Sequence, residues 1–569
     1  MFFQASVSEF NPFLTEGGVP VAEWKRQEAE GWVRAVGKKL VNGRGEELIL
    51  RGVGLGSWLL PEGYMWKLPE GGDRPRRIER LVEDLVGPEE ASVFWKTYRD
   101  RYIAEDDIRR IAEEGFNSVR VPFNARMLLE GETNAEGYND SALALLDRVI
   151  GWCRTWKLYV ILDMHGAPGG QTGANIDDSE RDQPELFIRE EYRQAAIDMW
   201  RMLAKRYRDE WIVAGYDLLN EPLPDYHGAY NSLLQPLYRD MIRAIREVDD
   251  RHLIILEGAH WATDFSIFTE RLDDNVLYQF HKYWNNPDTE SIQRYLDFRD
   301  GWNVPVFMGE GGENDLDWYA GAFRLFEDHR IGWNFWTWKK MDTLNSPCSI
   351  RKPQGWEALG AYLQGGERPD RESAKRILGE YLDNLPLEAC DYRPEVVRAL
   401  FRRLPVRIPA IHYGYEGEGK SFGIAKRSAW ESGYRKSDGV EIRHLDGQPK
   451  TPPEGTGWHR WDPDEKLCVQ LAPGDWLAYD FTAGSPSGDE SAGRFRLRLR
   501  LAAPDGAASV AVSLNGETVG EVQAAGEKWE TAELDRELPP LDSGAHRLVL
   551  QAQRAPVRLE ALVFERADE

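Results

Sequence analysis

Cysteine is scarce in this chain. Cys153, Cys348, Cys390 and Cys468 are the only ones, and none forms a Cys-x-x-Cys pair, so neither a zinc site nor a dense disulfide framework is expected. Long apolar runs are missing too: no window approaches the roughly 18 apolar residues that span a bilayer, so no membrane span is expected. Positive charge is in deficit, with 71 Lys and Arg against 96 Asp and Glu, a net charge of −25 and a pI near 5.0. Phosphate backbones and anionic membranes repel such a surface, which argues against nucleic acid as a partner. The start, Met1-Phe2-Phe3-Gln4-Ala5-Ser6, lacks the basic residues and apolar stretch of a secretory signal. A cytoplasmic location is expected, or a secreted one if this N-terminus is trimmed. The sequon Asn139-Asp140-Ser141 means little in that compartment.

Several catalytic signatures are absent as well. Ten histidines without a His-Glu-x-x-His pattern speak against a metallohydrolase, and neither a metal nor a cofactor is expected. Gly54-Leu55-Gly56-Ser57 is no Gly-x-Ser-x-Gly elbow; its glycines are expected to permit tight packing at the end of a strand. Gly169-Gly170 with Gly173 lacks the lysine of a phosphate-binding loop.

What is plentiful is aromatic: 22 Trp, 22 Tyr and 21 Phe. Indole rings stack on the C–H faces of sugars, although most rings in any protein are core. From about residue 48 the chain alternates short apolar strands, polar loops and amphipathic helices, which predicts an α/β fold with a parallel sheet. The candidate strands are 48–54, 118–122, 159–164, 213–219, 253–257, 276–280, 304–308 and 332–336. Eight of them interleaved with helices is the count of a (β/α)8 barrel. Helices are expected over 107–114, stopped by Gly115, and over 142–155. Residues 32–36 and 40–41, split by Gly37-Lys38-Lys39, predict a hairpin plugging the barrel floor.

After about residue 400 the periodicity changes to two, as in residues 494–501 and 546–550, with turn signals at Asp505-Gly506 and Asn515-Gly516. A β-sandwich fits this tail. The organisation expected is a barrel with its hairpin over residues 1–405 and a sandwich over 406–569, joined near Leu404–Pro409.

Two glutamates stand where a barrel keeps its chemistry. Glu221 in Leu219-Asn220-Glu221-Pro222 and Glu310 in Met308-Gly309-Glu310-Gly311 each follow an apolar strand and precede a chain-breaking residue. Two carboxyls facing one cleft can cleave a glycosidic bond with retention, one as proton donor and one as nucleophile. Glu221 is the better acid/base, with Asn220 beside it to bond a sugar 2-hydroxyl; Glu310 is the better nucleophile, its charge held by Arg120. Other strand tips carry Asp163, His165, His281, Tyr283, Trp336 and Trp338. Taken singly, each has a bland reading: a lone histidine is more often structural, Asp163 could cap its loop, and Asp217 could sit in an ion pair. Their convergence on one rim shifts the odds.

With these residues the chain resembles glycoside hydrolase family 5, the cellulase-like family of retaining barrels, over roughly residues 45–385. The stretches that carry the resemblance are Arg51-Gly52-Val53, Ser118-Val119-Arg120-Val121-Pro122, Asp163-Met164-His165-Gly166-Ala167-Pro168-Gly169, Asn220-Glu221-Pro222, Phe280-His281-Lys282-Tyr283, Met308-Gly309-Glu310 and Phe335-Trp336-Thr337-Trp338-Lys339. The resemblance implies Glu221 as acid/base and Glu310 as nucleophile, with Arg120, His165, Asn220, His281, Tyr283 and Trp336 around the cleaved sugar. Within the family, these stretches are similar to the exo-β-1,3-glucanase and β-glucosidase-like branches, while residues 170–175 are only loosely like theirs. The tail resembles the carbohydrate-binding modules of families 6 and 35, through residues 474–480 and 544–548; a purely structural sandwich is the equal alternative. The expected substrate is a β-glucoside or short β-linked oligosaccharide, cut from the non-reducing end. An endo-β-glucanase, a transglycosylase using the same intermediate, and more distantly a non-catalytic glycan binder are the other readings.

Overall fold

The computed structural model describes residues 26–134, 137–428, 433–448, 461–486 and 493–567. They fall into two compact units, one of residues 26–400 with Trp461 and one of the other described residues from Phe401 onward.

The first unit is a closed parallel barrel in sequence order: β1 (Arg51–Gly54), β2 (Ser118–Asn124), β3 (Tyr159–Gly166), β4 (Val213–Asp217), β5 (Leu253–Glu257), β6 (Val276–His281), β7 (Val306–Gly312) and β8 (Gly332–Trp336). Every residue of β2 to β7 is buried, as expected where side chains fill a barrel on one face and meet helices on the other. The helix over Asp140–Trp156 shows how the intervening segments are punctuated. The Asn139 side chain accepts the Ala142 amide, Lys157 ends the helix in the left-handed region, and the buried stripe runs from Ala142 to Cys153. The sequon asparagine is therefore a helix cap. All four cysteines are buried and free.

Strand edges shifted in two informative places. Leu48 belongs to the N-terminal element rather than to β1. That element has three strands rather than two, Arg34–Val36, Lys39–Val41 and Glu47–Leu48. It meets the barrel at the N-terminal ends of the strands: Tyr159 at the start of β3 donates to Glu30 and Gly31 carbonyls, and Asn275 before β6 accepts the Ala35 amide. β7 runs on past Met308 through Glu310, with a register shift against β6 and β8. Its glycines make that possible. A Cβ on Gly309 would lie 1.9 Å from Gln279, and one on Gly312 would lie 2.2 Å from the Trp336 carbonyl.

The second unit has two antiparallel sheets. One orders Glu441–His444, Leu467–Leu471, Val557–Arg566, Phe495–Ala502 and Glu530–Glu533; the other orders Phe422–Gly423, Trp476–Ala483, Gly544–Ala552, Ala508–Leu514 and Glu517–Ala524. Phe481 of one sheet meets Phe564 of the other at 4.8 Å between ring centroids, which makes the pair a sandwich. Asn515-Gly516 forms a two-residue hairpin with both φ angles positive. Asp505-Gly506 instead lies where the chain crosses between sheets, since the strands on either side belong to different ones. Arg407–Pro409, in the expected linker, pairs with Val563–Ala561 as a further strand.

Candidate active site

The floor of the site is a buried charge cluster centred on Arg120 of β2. Its Nε donates to Asp217 Oδ2 at 2.9 Å, Nη1 to Glu310 Oε2 at 2.6 Å, and Nη2 to Asn220 Oδ1 at 2.8 Å and Glu257 Oε1 at 3.1 Å. Asp163 Oδ2 is 3.1 Å from the same Nη2. Burial alone would lower the affinity of Arg120 for its proton, but the surrounding carboxylates outweigh it and hold the guanidinium charged. The acids around Arg120 outnumber it, which leaves excess negative charge. Burial and the Glu257 charge push Asp217 well above the usual carboxylate range.

Glu221 is not at a strand tip in the hydrogen-bonding sense. β4 ends at Asp217, and Glu221 sits four residues on with φ of 42°, in the left-handed region. Its amide donates to Glu257 Oε2 at 2.7 Å, so the last residue of β5 holds the turn that presents Glu221. The carboxyl of Glu221 accepts from or donates to His281 Nδ1 at 2.7 Å. Burial raises its proton affinity, and the His281 contact offsets this only in part. His281 is itself raised: burial would lower it, and Glu257, Glu310 and Glu221 prevail.

Glu310 sits in the bulged part of β7, with Oε1 accepting the Tyr283 hydroxyl at 2.5 Å and Oε2 accepting Arg120. Burial and the charges of Glu310 and Glu221 push the Tyr283 phenol well up, so it remains a donor. One ligand-type atom each of Glu221, His281 and Glu310 lies within 4.8 Å of the other two. Such a trio could in principle hold a metal ion. Here Tyr283 and Arg120 already serve both oxygens of Glu310, and His281 Nδ1 already serves Glu221.

Around these acids stand the remaining predicted residues. His165 bonds Asp163 Oδ2 through Nδ1 at 2.7 Å and stacks on Trp336, with centroids 5.4 Å apart and planes 2° apart. Asp163 thus orients a histidine rather than capping its loop. Asn220 stands 3.4 Å from His165 Nε2 while its oxygen takes Arg120. Trp336 packs over β1, where a Cβ on Gly54 or Gly56 would lie 2.7 Å from its ring. Gln171, in the stretch of looser resemblance, donates to the His165 and Asn220 carbonyls at 2.6 and 3.0 Å and so braces both loops.

Trp338 is a correction. Two residues beyond Trp336, it is fully buried, donates through Nε1 to Asp107 of the helix Glu105–Glu113 at 2.9 Å, and does not line the cleft. β8 has ended at Trp336, and Trp338 is directed at the helical layer.

Sequence reasoning missed five residues. Glu257 and Gln279 lie inside β5 and β6, and a polar residue on a fully buried strand was the available signal. Glu62 and Glu313 lie in loops and Tyr64 in a single 3-10 turn over Gly63–Trp66, with no such signal. Glu62 is 2% exposed, 3.9 Å from His165 Nε2, and its Oε1 has no protein partner. Burial and then the charges of Glu310 and Glu221 raise it well above the usual carboxylate range. Tyr64 accepts Trp336 Nε1 at 2.7 Å, and Lys340 pairs with Glu313 at 2.5 Å. Together with residues from the β3, β5 and β6 loops, these groups enclose a cavity of about 590 Å³.

Residues 85–342 match the family model described as Cellulase (glycosyl hydrolase family 5). The chain is 32% identical over 254 residues to a protein named Beta-xylosidase from Phanerodontia chrysosporium, a match covering 44% of this chain and 52% of that relative. It is 27% identical over 312 residues to Endoglucanase C of Acetivibrio thermocellus, covering 44% and 88%. It is 29% identical over 276 residues to Probable glucan 1,3-beta-glucosidase A of Aspergillus fumigatus, covering 46% and 64%. The chain thus spans about half the length of the xylosidase.

Proposed function

We propose, from the match of residues 85–342 to the glycosyl hydrolase family 5 model, that this protein is a retaining β-glycosidase acting from the non-reducing end of β-glucosides or short β-linked oligosaccharides. The observation that carries the reading is the pairing of two unlike carboxyls within 4.8 Å at the barrel rim. One is bonded by a guanidinium and a phenol, and the other has its proton affinity raised by burial. Retaining enzymes keep their carboxyls about 5–5.5 Å apart.

In the first step Glu310 attacks the anomeric carbon as Glu221 gives its proton to the departing oxygen, leaving a glycosyl ester on Glu310 and a free alcohol. In the second, Glu221 takes a proton from water, the water oxygen bonds to the anomeric carbon, and Glu310 leaves as carboxylate. Arg120 and Tyr283 carry the charge that returns to Glu310; His165 lines the cavity, and the fully buried Asn220 links it to Arg120.

Exo action is supported by the groups at the β8–β1 side, where Glu62, Tyr64, Glu313 and Trp336 wall that end of the cavity and Lys340 pairs with Glu313. The name glucan 1,3-beta-glucosidase of one relative agrees, and the name endoglucanase of another marks the competing reading. Product profiles on defined oligosaccharides decide between them: single-sugar release supports exo action, internal cuts overturn it. Added alcohols separate hydrolysis from transglycosylation. Role assignment is tested by Glu310→Ala, expected to lose turnover on the order of 10⁴-fold or more and to regain it with azide as external nucleophile. Glu221→Ala is expected to spare substrates whose leaving groups need no proton, and equal loss on both substrate classes would contradict the assignment.

A further inference from the structure

The two ends of the cavity are chemically unlike. At the β8–β1 end its wall is carboxylate, phenol and indole N–H, as described above. At the opposite end the wall comes from the loops after β5 and β6 and from the helix Thr289–Trp302, and it presents Trp261, Trp284, Tyr295 and Thr263, with Ile176 across from the β3 loop. Glu221 follows β4, next to β5 in the barrel, and a proton donor faces the leaving group. The second wall therefore receives whatever the sugar is attached to.

The polar groups on that wall are already engaged within the protein. Lys282 Nζ donates to the Asn286 carbonyl at 2.7 Å, to Ser291 Oγ at 2.8 Å and to Asn285 Oδ1. Burial pulls the Lys282 ammonium down to about 7, so it is a weak charge. Ser291 Oγ donates to the Asp288 carbonyl at 2.7 Å, and Thr263 Oγ1 to the His260 carbonyl at 2.6 Å. His260 Nε2 faces Asn231 Nδ2 at 3.1 Å. Apart from Asn175 and Arg294 at the exposed rim and the half-buried Asn285 amide, what faces the cleft here is mostly apolar surface. A second sugar ring brings several hydroxyls that lose water on entering and need partners; an apolar group does not.

Two further observations point the same way. Trp284 is 48% exposed, directly after the Tyr283 that bonds Glu310, with the two rings 6.0 Å apart. Trp261 is held in an unusual backbone: His260, Trp261 and Ala262 have φ of 53°, 59° and 61°, a left-handed turn of three residues with side chains. Reciprocal bonds lock the turn, Ala259 N to the Asp264 carbonyl at 3.1 Å and Asp264 N to the Ala259 carbonyl at 2.8 Å. Strain kept at the edge of a cleft is a signature of a side chain that must be presented there.

We infer that the site selects β-glycosides with an apolar aglycone, an alkyl or aryl-alkyl group rather than a second sugar, and that Trp261 and Trp284 are the selecting residues. This rests on the glycosidase reading above and names its substrate class. The test uses the full-length enzyme on methyl, hexyl and octyl β-glucosides, 2-phenylethyl β-glucoside, and the disaccharides cellobiose and laminaribiose. The specificity constant is expected to climb along the alkyl series, by up to about fourfold for each methylene that reaches the wall, and to exceed that on either disaccharide. Trp261→Ala and Trp284→Ala are expected to cut the octyl-to-methyl ratio by about tenfold or more, and Trp261→Phe to restore most of it. A ratio is insensitive to the fraction of enzyme folded. Octyl steeper than phenylethyl assigns an extended alkyl partner, the reverse a planar one. Preference for the disaccharides, or an octyl-to-methyl ratio that the alanine variants leave in place, overturns this inference alone; inactivity on every β-glycoside overturns the glycosidase reading instead.

Discussion

Both units bury a guanidinium, Arg120 among four carboxylates in the barrel and Arg435 against Asp438 and two tyrosine rings in the other, but they differ in the aromatics they leave exposed. Among the described residues, the large hydrophobics left exposed are Val36, Tyr64, Val93, Ile188, Tyr226, Trp284 and Leu344, all of them in the barrel unit. In the sandwich the strand Phe495–Ala502 buries Phe495, Leu497, Leu499 and Leu501 and places arginines between them. The barrel also buries a guanidinium among carboxylates and leaves Asp163 Oδ1 and Asp217 Oδ1 without a protein partner. Buried charge and exposed indole both cost stability, and a protein retains them where a ligand uses them.

The largest expected effect lies at the centre of this contrast. Arg120→Ala removes the guanidinium that touches Asp163, Asp217, Glu257 and Glu310 together and leaves buried carboxylates facing each other. Breaking a buried pair in this way costs about 3–5 kcal/mol. Chemical denaturation is expected to show a loss of that size, and turnover on any β-glucoside is expected to vanish with it. A stable, active variant would mean that the cluster is ornamental.

His281→Ala tests the same site more gently. His281 lowers the proton affinity of Glu221, by hydrogen bond and by charge, against the upward push of burial. Its removal lets Glu221 hold its proton to higher pH, so the alkaline limb of the kcat/KM profile is expected to move up. The maximum is expected to fall about 10²-fold, because the carboxyl loses the group that orients it. A limb that stays put or moves down would assign the alkaline limb to a different group.

Much of this was legible in the sequence, because the barrel repeats one pattern and β-strands buried on both faces are continuous apolar runs. The strand positions and the two glutamates came from that regularity. What escaped were deviations from it. Glu221 is presented by a left-handed turn pinned by Glu257, and Glu310 by a bulge that glycines allow, so neither sits at a plain strand end. Glu62 lies in a loop and Tyr64 in the 3-10 turn that follows it, where no periodicity operates. Trp338 was placed with Trp336 because the two are near in sequence, yet after β8 the chain turns and the second indole meets Asp107.

Trp338→Phe sharpens that correction. It removes an indole N–H bond to Asp107, whose Oδ1 keeps Lys339 Nζ at 2.8 Å. A stability loss of about 1–2 kcal/mol is expected, from the lost bond and the volume removed. KM and kcat on a methyl β-glucoside are expected to change less than twofold, and a rise in KM would return Trp338 to the cleft.

The smallest effect is expected where the comparison is most direct, between one arginine and another. Arg498 of the sandwich faces Glu565 at 3.0 Å and Glu533 at 3.4 Å, as Arg120 faces its acids, but its side chain is 35% exposed where that of Arg120 is wholly buried. Water screens the Arg498 pairs and solvates the acids once the arginine is gone, so Arg498→Ala is expected to cost about 0–1 kcal/mol. It lies on a strand that alternates inside and outside, so the substitution leaves Leu497 and Leu499 buried. Urea titration of the variant beside Arg120→Ala measures the difference between a charge placed for chemistry and one placed for solvation. Losses of similar size in the two would show that burial is not what separates them.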